Sequence, residues 1–251
     1  MVAGFPACPR RGEARDILIL IERERRVCDD EIATTRHARR GTIVQFGVVA
    51  LLVVLFFALG VVIKSGWTLA FDERAHRFVR DLGSMAFEED DTSLRTRFMH
   101  LGPDIGTATI LFVPLTAFVL VRQCRRRAAL LLLLSTGGSV VMALCLKGIF
   151  QRTRPDQLCS HGPFCVINYL YPSNHTILSL VSYGLIGALI AGRRAGMRRT
   201  LVNLFVIVIV GFVAVSLIYL NTHYLTDVIG GLLIGSAWFI VSLHLLRHME
   251  A

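Results

Sequence analysis

Apolar residues run along this chain in long stretches that contain almost no charged positions. Six of these stretches approach the roughly 20 residues that a helix needs to cross the hydrocarbon core of a bilayer. The helices would have almost no polar face, which argues against a soluble helical core. The pattern therefore predicts an all-α, polytopic membrane protein, a bundle of six transmembrane helices at residues 43–63, 105–121, 128–146, 176–192, 201–220 and 228–246.

The composition supports this interpretation. Of the 251 residues 54% are hydrophobic and only 18% are charged, which is too apolar for an ordinary soluble domain of this length. The formal net charge is +9, but basic residues beside membrane spans usually report topology rather than nucleic-acid binding. We therefore expect no nucleic-acid partner, and membrane lipids as the surroundings.

The basic residues also predict the orientation of the bundle. They cluster in alternate connections and near both termini, and the positive-inside rule makes those segments cytoplasmic. The clusters lie at residues 36–40, 122–127 and 193–199, and at Arg247 and His248. Both termini are then cytoplasmic, with residues 1–40 as a tail and residues 41–251 as one membrane domain. The segments 64–104, 147–175 and 221–227 share the outer face, which is periplasmic in a bacterial inner membrane and topologically equivalent to an endoplasmic reticulum lumen.

Three segments carry polar residues to this outer face. They are Lys147 to Pro155, Pro172 to His175 and Asn221 to Asp227. Ionisable groups at the border of a span are costly, and they usually mark either interfacial anchors or a functional site. Lys147 or Arg152, taken alone, fits an anchor that extends to the headgroups as well as a catalytic role.

The two histidines favour a functional site. His223 and Asp227 are four residues apart, so in a helix the carboxylate would accept the Nδ1 hydrogen and leave Nε2 as a nucleophile. His175 offers a second imidazole at the same depth as a general acid. Lys147 and Arg154 add positive charge, Ser173 adds a hydroxyl, and the start of a helix adds backbone N–H donors. Together these groups indicate a phosphate ester as the substrate.

These blocks resemble the type-2 phosphatidic acid phosphatase superfamily, which includes lipid phosphate phosphatases, glucose-6-phosphatase and vanadium haloperoxidases. Lys147, Arg154 and Pro155 complete its first block, and Ser216, His223 and Asp227 keep the spacing of its third. The resemblance implies phosphoryl transfer without a metal or cofactor. In that scheme His223 forms a phosphohistidine, Asp227 orients it, His175 protonates the leaving oxygen, and the phosphate is held by Lys147, Arg154, Ser173 and Asn174.

The chain departs from the superfamily pattern at two positions. Asn174 replaces the glycine of Pro-Ser-Gly-His, which is tolerable because asparagine adopts left-handed backbone conformations readily and keeps its N–H. Leu217 replaces the arginine that follows Ser216, and losing such a contact costs about 3 kcal/mol, or on the order of a hundredfold in rate. Three alternatives follow: Arg152 substitutes, the enzyme is slow, or the site binds a phosphorylated lipid without turnover.

Two further features lie on the predicted outer face. Cys159 and Cys165 share one loop, where an oxidising compartment permits a disulfide, although two free thiols are the alternative. Residues 69–82 form an amphipathic helix with basic positions, suited to the headgroup region, either as a plain interfacial helix or as a substrate-guiding lid.

The predicted substrate is an amphiphile whose phosphate lies at headgroup level. Phosphatidate, phosphatidylglycerophosphate, isoprenyl diphosphates and lipid A phosphates all fit. We therefore expect a membrane phosphatase of acid-phosphatase type, a phosphoric monoester hydrolase. The competing hypothesis is a lipid-phosphate binding or scaffold protein that Leu217 has made inactive.

Overall fold

A computed structural model describes residues 41–86, 92–153, 168–192 and 196–249, without the side chains of residues 84–86 and 92–93. The chain divides into two compact units, Met1–Gly47 and Val48–Ala251. Within the described residues the regular structure is helical. The helices are α1 (Gly41–Lys64), α2 (Leu69–Ala86), α3 (Thr92–Arg122), α4 (Arg126–Phe150), α5 (Asn174–Ala191), α6 (Met197–Tyr219) and α7 (Leu225–Met249).

Six of these helices, α1 and α3 to α7, are long and apolar enough to cross a membrane. This finding confirms the predicted all-α bundle of six spans. The second span was placed too late, because α3 begins 13 residues before residue 105. Its first turns carry Arg95, Arg97 and Asp104, whose charges hide the helix from a search for apolar stretches. Pro103 and Pro114 both lie inside α3.

Helix α5 lies at the centre of the membrane unit and packs against α3, α4, α6 and α7. Small residues allow this close packing: Ser179, Ser182 and Gly184 are all buried. The helices that surround α5 instead expose large apolar side chains, including Leu111 of α3 and Phe205 of α6. Such exposure is expected of surfaces that face lipid. The central position of α5 matters because its first turn carries Asn174 and His175.

Helix α2 includes the predicted amphipathic segment 69–82 and packs against α6 and α7. Leu69, Phe78 and Leu82 are exposed, which suits contact with the headgroup region. The opposite stripe faces the protein. On that side Asp72 is fully buried, and His76 Nδ1 lies 2.8 Å from the Ile218 carbonyl oxygen.

The segment before α5 is fixed by an aromatic cluster. The Tyr171 ring stacks on Phe56, with 5.2 Å between ring centroids, and meets Phe150 edge-on. The Tyr171 hydroxyl donates a 2.8 Å hydrogen bond to the Phe56 carbonyl oxygen. Burial, reinforced by Asp227, raises the pKa of Tyr171, so the hydroxyl remains a neutral donor. A Cβ at Gly230 would collide with the Tyr171 ring, and glycine there lets α7 approach this segment.

Candidate active site

The two predicted catalytic histidines meet at one end of the bundle. His175 is the second residue of α5, and His223 lies in the turn between α6 and α7. Their ring centroids are 6.4 Å apart and the rings are inclined by 67°. We call this end, where α4 and α6 finish and α5 and α7 begin, the histidine end. The predicted convergence of the second and third sequence blocks is therefore present.

The turn that carries His223 is held by one carbonyl group. The Leu217 carbonyl oxygen accepts hydrogen bonds from the Thr222 hydroxyl at 3.0 Å and from the backbone N–H groups of Thr222 and His223 at 3.0 and 3.3 Å. Asn221 turns the chain with φ +51°. His223 thus precedes α7 rather than lying within it. The helical spacing that we assumed for His223 and Asp227 is therefore wrong.

The orientation of His223 by Asp227 is also looser than expected. His223 Nδ1 lies 3.8 Å from Asp227 Oδ2, which is too long for a hydrogen bond. The two groups still form a close pair, and because Nδ1 faces the carboxylate, Nε2 is the nitrogen left for a substrate. Asp227 Oδ2 accepts a 2.9 Å hydrogen bond from the Tyr224 N–H instead.

Arg152 occupies the other oxygen of Asp227. Its Nη1 donates to Asp227 Oδ1 at 2.5 Å and to the Thr226 hydroxyl at 2.7 Å, and its Nη2 donates to Asp72 Oδ2 at 2.8 Å. Its guanidinium also lies 4.5 Å from the centre of the Tyr224 ring. Arg152 therefore places a positive charge beside Asp227, where it is bonded to carboxylates.

Asp72 is a component of this network that the sequence reasoning missed. Its side chain is fully buried, and it accepts hydrogen bonds from the Thr226 N–H at 2.9 Å and the Thr226 hydroxyl at 2.7 Å. A single guanidinium thus bridges two buried carboxylates, Asp72 and Asp227. One sequence signal could have identified Asp72. Its carboxylate lies on the same helical stripe as His76 and Gly83, which is the inward face of α2.

Lys147 closes the base of the loop that leads from α4 to α5. It is 3% exposed, and its Nζ donates to the Tyr169 carbonyl oxygen. The Leu170 N–H donates to the Arg152 carbonyl oxygen at 2.8 Å. Lys147 also interacts electrostatically with Asp227 and His175. Lys147 is thus a buried cation that interacts with Asp227, the carboxylate partner of the predicted nucleophile, and with His175. This position suits the binding of an anion.

Ser173 and Asn174 form the start of α5. The Ser173 N–H donates to the Asp227 carbonyl oxygen at 3.1 Å, and its hydroxyl accepts from the Thr176 hydroxyl at 3.1 Å. Gly231 makes room, since a Cβ there would lie 3.0 Å from the Ser173 carbonyl oxygen. Asn174 is the first residue of α5, so its backbone is right-handed helical. The left-handed conformation that we invoked for it is not used.

Several predicted residues lie outside the described part of the chain. They are Arg154, which was assigned to phosphate binding, and Cys159 and Cys165, which were assigned to a disulfide. The tail at residues 1–40 also lies outside it. These assignments stay predictions.

Leu217 lies in an apolar environment. It is 1% exposed and belongs to an apolar cluster with Val213, Ile218 and Val228. We therefore expect an arginine at this position to meet apolar side chains of α2, α6 and α7.

The site combines buried polar atoms that have no hydrogen-bond partner among the described residues with an adjacent apolar cleft. Asn174 Oδ1, His175 Nδ1 and His223 Nδ1 are buried and have no hydrogen-bond partner among the described residues. An apolar cleft of about 440 Å³ between α3 and α4 ends at Asn174 and His175. Its other lining residues include Ile110, Val113 and Leu133. This arrangement suits a ligand with a polar head and an apolar tail.

The family model described as the PAP2 superfamily matches residues 128–249, which contain both histidines, Lys147 and Asp227. This region belongs to the PAP2 superfamily. The resemblance noted in the sequence blocks is thereby confirmed.

A solved structure supports the same fold. The crystal structure of a transmembrane PAP2-type phosphatidylglycerolphosphate phosphatase from Bacillus subtilis matches with a TM-score of 0.62 and 22% sequence identity. The match covers 80% of this chain and 96% of that one. No curated protein matches the chain significantly in sequence. The PAP2 fold therefore extends beyond residues 128–249 into the preceding helices.

Proposed function

We propose that this protein is a membrane phosphatase that hydrolyses the phosphate monoester of a lipid phosphate, or an isoprenyl diphosphate, at the outer face of the membrane. The proposal is carried by one observation, the 6.4 Å separation of the His175 and His223 rings at the histidine end. Membership of the PAP2 superfamily supports it. The phosphatase activity named for the Bacillus subtilis protein supports it as an analogy of fold.

The chemistry has two steps. His223 Nε2 attacks phosphorus, the bond between phosphorus and the leaving oxygen breaks, and His175 gives that oxygen a proton. Water then attacks the phosphohistidine, the P–N bond breaks, and His175 takes the proton from the water. Asp227 stabilises the charge that develops on His223. No metal or cofactor takes part in this scheme.

The phosphate oxygens are held by cations and helix dipoles. Lys147, the N–H groups at the start of α5 and Arg154 supply this stabilisation, together with Asn174 and Ser173. Arg152 contributes through Asp227, whose carboxylate it contacts at 2.5 Å. The lipid tail occupies the apolar cleft between α3 and α4, so that only the phosphate reaches the histidines.

The distribution of basic residues supports the outer-face location of the histidine end. The basic residues of 122–127 and 198–199 lie at the end opposite the histidines, so the positive-inside rule puts the histidine end on the outer face. In a bacterial inner membrane this is the periplasmic side. The substrate then approaches within the outer leaflet.

A lipid-phosphate binding protein without turnover is the second candidate. It is favoured by the 3.8 Å gap between His223 Nδ1 and Asp227 Oδ2, because an imidazole that is not oriented by its carboxylate is a poor nucleophile. In this case Arg152 would hold Asp227 away from His223 permanently.

Phosphate release from purified, detergent-solubilised protein separates the two candidates. Wild type and His223→Ala are compared on phosphatidate, phosphatidylglycerophosphate and an isoprenyl diphosphate. Turnover that is lost in His223→Ala supports catalysis. If wild type and variant are equally inert, while both bind the lipid phosphates, the protein is a binding protein and the phosphatase proposal fails.

A further inference from the structure

The end of the bundle opposite the histidines contains a second cavity. It has a volume of about 510 Å³ and lies between α5, α6 and α7. Its lining includes the apolar side chains of Leu180, Phe239 and Leu243. Arg125, Arg199 and Arg247 line its end farthest from the histidines, which we call the mouth. We call this cavity the arginine cleft.

The arginine cleft is separate from the candidate active site. Along α5 it extends from Leu180 to Gly192, whereas His175 lies at the start of the helix. Gly192 is about 25 Å from His175 at a helical rise of 1.5 Å per residue. A ligand with its charged group at this mouth therefore does not reach the histidines.

The three arginines converge from different parts of the chain. Arg125 precedes α4, Arg199 is in the first turn of α6 and Arg247 is in the last turn of α7. The neighbouring Arg126 and Arg198 are exposed and do not line the cleft. A topology signal alone does not require three separate segments to direct their arginines to one cavity.

The electrostatics of the mouth favour an anion. No acidic side chain is among the described residues that line the cleft. Helices α4 and α6 both begin there, and neither has an acidic residue in its first turn or a side chain that caps it. Helix N-termini carry partial positive charge, which adds to that of the arginines.

The shape of the cleft selects a lipid over a small free anion. Leu180 and Gly192 are separated by about 18 Å of helix, and apart from Asn203 and the arginines the described residues that line the cleft are apolar. A phosphate ion would fill the mouth and leave this depth empty, whereas an acyl chain would occupy it. Arginine pairs with phosphate through parallel hydrogen bonds.

We propose that the arginine cleft is a binding site for an anionic phospholipid of the leaflet opposite the candidate active site, with its phosphodiester headgroup at Arg125, Arg199 and Arg247 and one acyl chain along α5. The bound lipid joins the ends of α5, α6 and α7 and stabilises the bundle. This site is independent of the proposed phosphatase activity.

The test measures binding of phosphatidylglycerol to the full-length protein by native mass spectrometry and by thermal unfolding in detergent. Phosphatidylcholine with the same acyl chains and inorganic phosphate are the comparison ligands. Phosphatidylglycerol should raise the unfolding midpoint by about 4 °C or more at saturating concentration. Equal stabilisation by phosphatidylcholine, or by inorganic phosphate alone, would overturn the proposal.

Variants then locate the site. The triple change Arg125→Gln, Arg199→Gln and Arg247→Gln should weaken phosphatidylglycerol binding roughly tenfold or more. The control, Arg126→Gln, Arg127→Gln and Arg198→Gln, removes the same charge from the same membrane face without changing the cleft, and should keep the affinity. Equal losses in the two triple variants would show general surface attraction and contradict a built site.

A second pair of variants tests the acyl-chain part and does not alter charge. Ala188→Phe fills the cleft and should abolish the phosphatidylglycerol-dependent rise in the midpoint. Ile190→Phe places the same ring at a 50% exposed position of the same helix, outside the cleft, and should keep the rise. Retention of the full rise in Ala188→Phe would contradict the proposed position of the acyl chain.

Discussion

The two ends of this bundle use arginine in opposite ways. At the histidine end, Arg152 is largely buried and bonded to two fully buried carboxylates. At the other end, three arginines surround an open cavity that no acidic side chain of the described residues lines. Salt screens a buried ion pair only weakly, and removing one of its partners strongly destabilises the fold. Charges at exposed positions contribute little to stability. The first arrangement fixes a site geometry, and the second attracts a ligand.

The largest contrast between the ends should come from Arg152→Gln. It leaves Asp72 and Asp227 as uncompensated buried charges, and we expect a loss of about 3–5 kcal/mol in the free energy of unfolding. Chemical denaturation of the purified protein measures this loss. Arg198→Gln, at an exposed position of the other end, should change the same quantity by less than about 0.5 kcal/mol. Similar changes in the free energy of unfolding for the two variants would show that the Arg152 network does not stabilise the fold.

His175→Asn separates chemistry from stability at the histidine end. Asparagine keeps a polar side chain but cannot transfer a proton, so turnover should fall by roughly a hundredfold to ten-thousandfold. The unfolding midpoint should change little, because His175 Nδ1 has no hydrogen-bond partner among the described residues. Steady-state phosphate release and thermal unfolding give the two readings. Turnover equal to that of wild type would exclude His175 as the general acid.

Leu217→Arg tests whether the superfamily's arginine would fit in this chain. Leu217 is buried in an apolar cluster, so the charge would be unpaired, and we expect a stability loss of about 2 kcal/mol or more with no gain in turnover. Leu217→Met is the volume-matched control and should cost less than about 1.5 kcal/mol. A gain in turnover from Leu217→Arg would mean that the position faces the phosphate.

The smallest effect should come from Gly106→Ala in α3. A Cβ there would lie 3.3 Å from His175 Cδ2 and from the Ser179 hydroxyl oxygen, so the imidazole must shift by a few tenths of an ångström. Turnover should fall about fivefold, or roughly 1 kcal/mol. Gly211→Ala in α6 is the control, because a Cβ added to Gly211 would have no neighbouring atom within 4 Å among the described residues, and Gly211 does not line the apolar cleft. Equal turnover in both variants would show that His175 tolerates displacement.

The sequence predicts the spans well because hydropathy acts over many residues. It places α4 to α7 within a few residues of their observed ends. It fails at the start of α3, where Arg95 and Asp104 interrupt the apolar pattern. Such charges are compatible with a helix that passes through the headgroup region, and composition alone does not reveal this.

The site is predicted less completely, because its contacts join segments far apart in the chain. The histidines and Lys147 follow from motif spacing. Asp72 does not, since its partners Arg152 and Thr226 lie 80 and 154 residues away. The expected His223 to Asp227 hydrogen bond fails for a related reason. Asp227 Oδ1 accepts from Arg152 and Oδ2 accepts from the Tyr224 N–H, and the motif spacing does not show which donors the carboxylate receives.

The central claim is that His223 attacks phosphorus, and trapping its covalent intermediate tests that claim most directly. Full-length protein is mixed with phosphatidate that carries a radioactive phosphate, quenched in alkali and fragmented for mass spectrometry. We expect an acid-labile phosphoryl group on His223, resolved by fragmentation from His244, and no label in His223→Ala. Phosphate release by wild type without label on His223, or with label on another residue, would contradict the account.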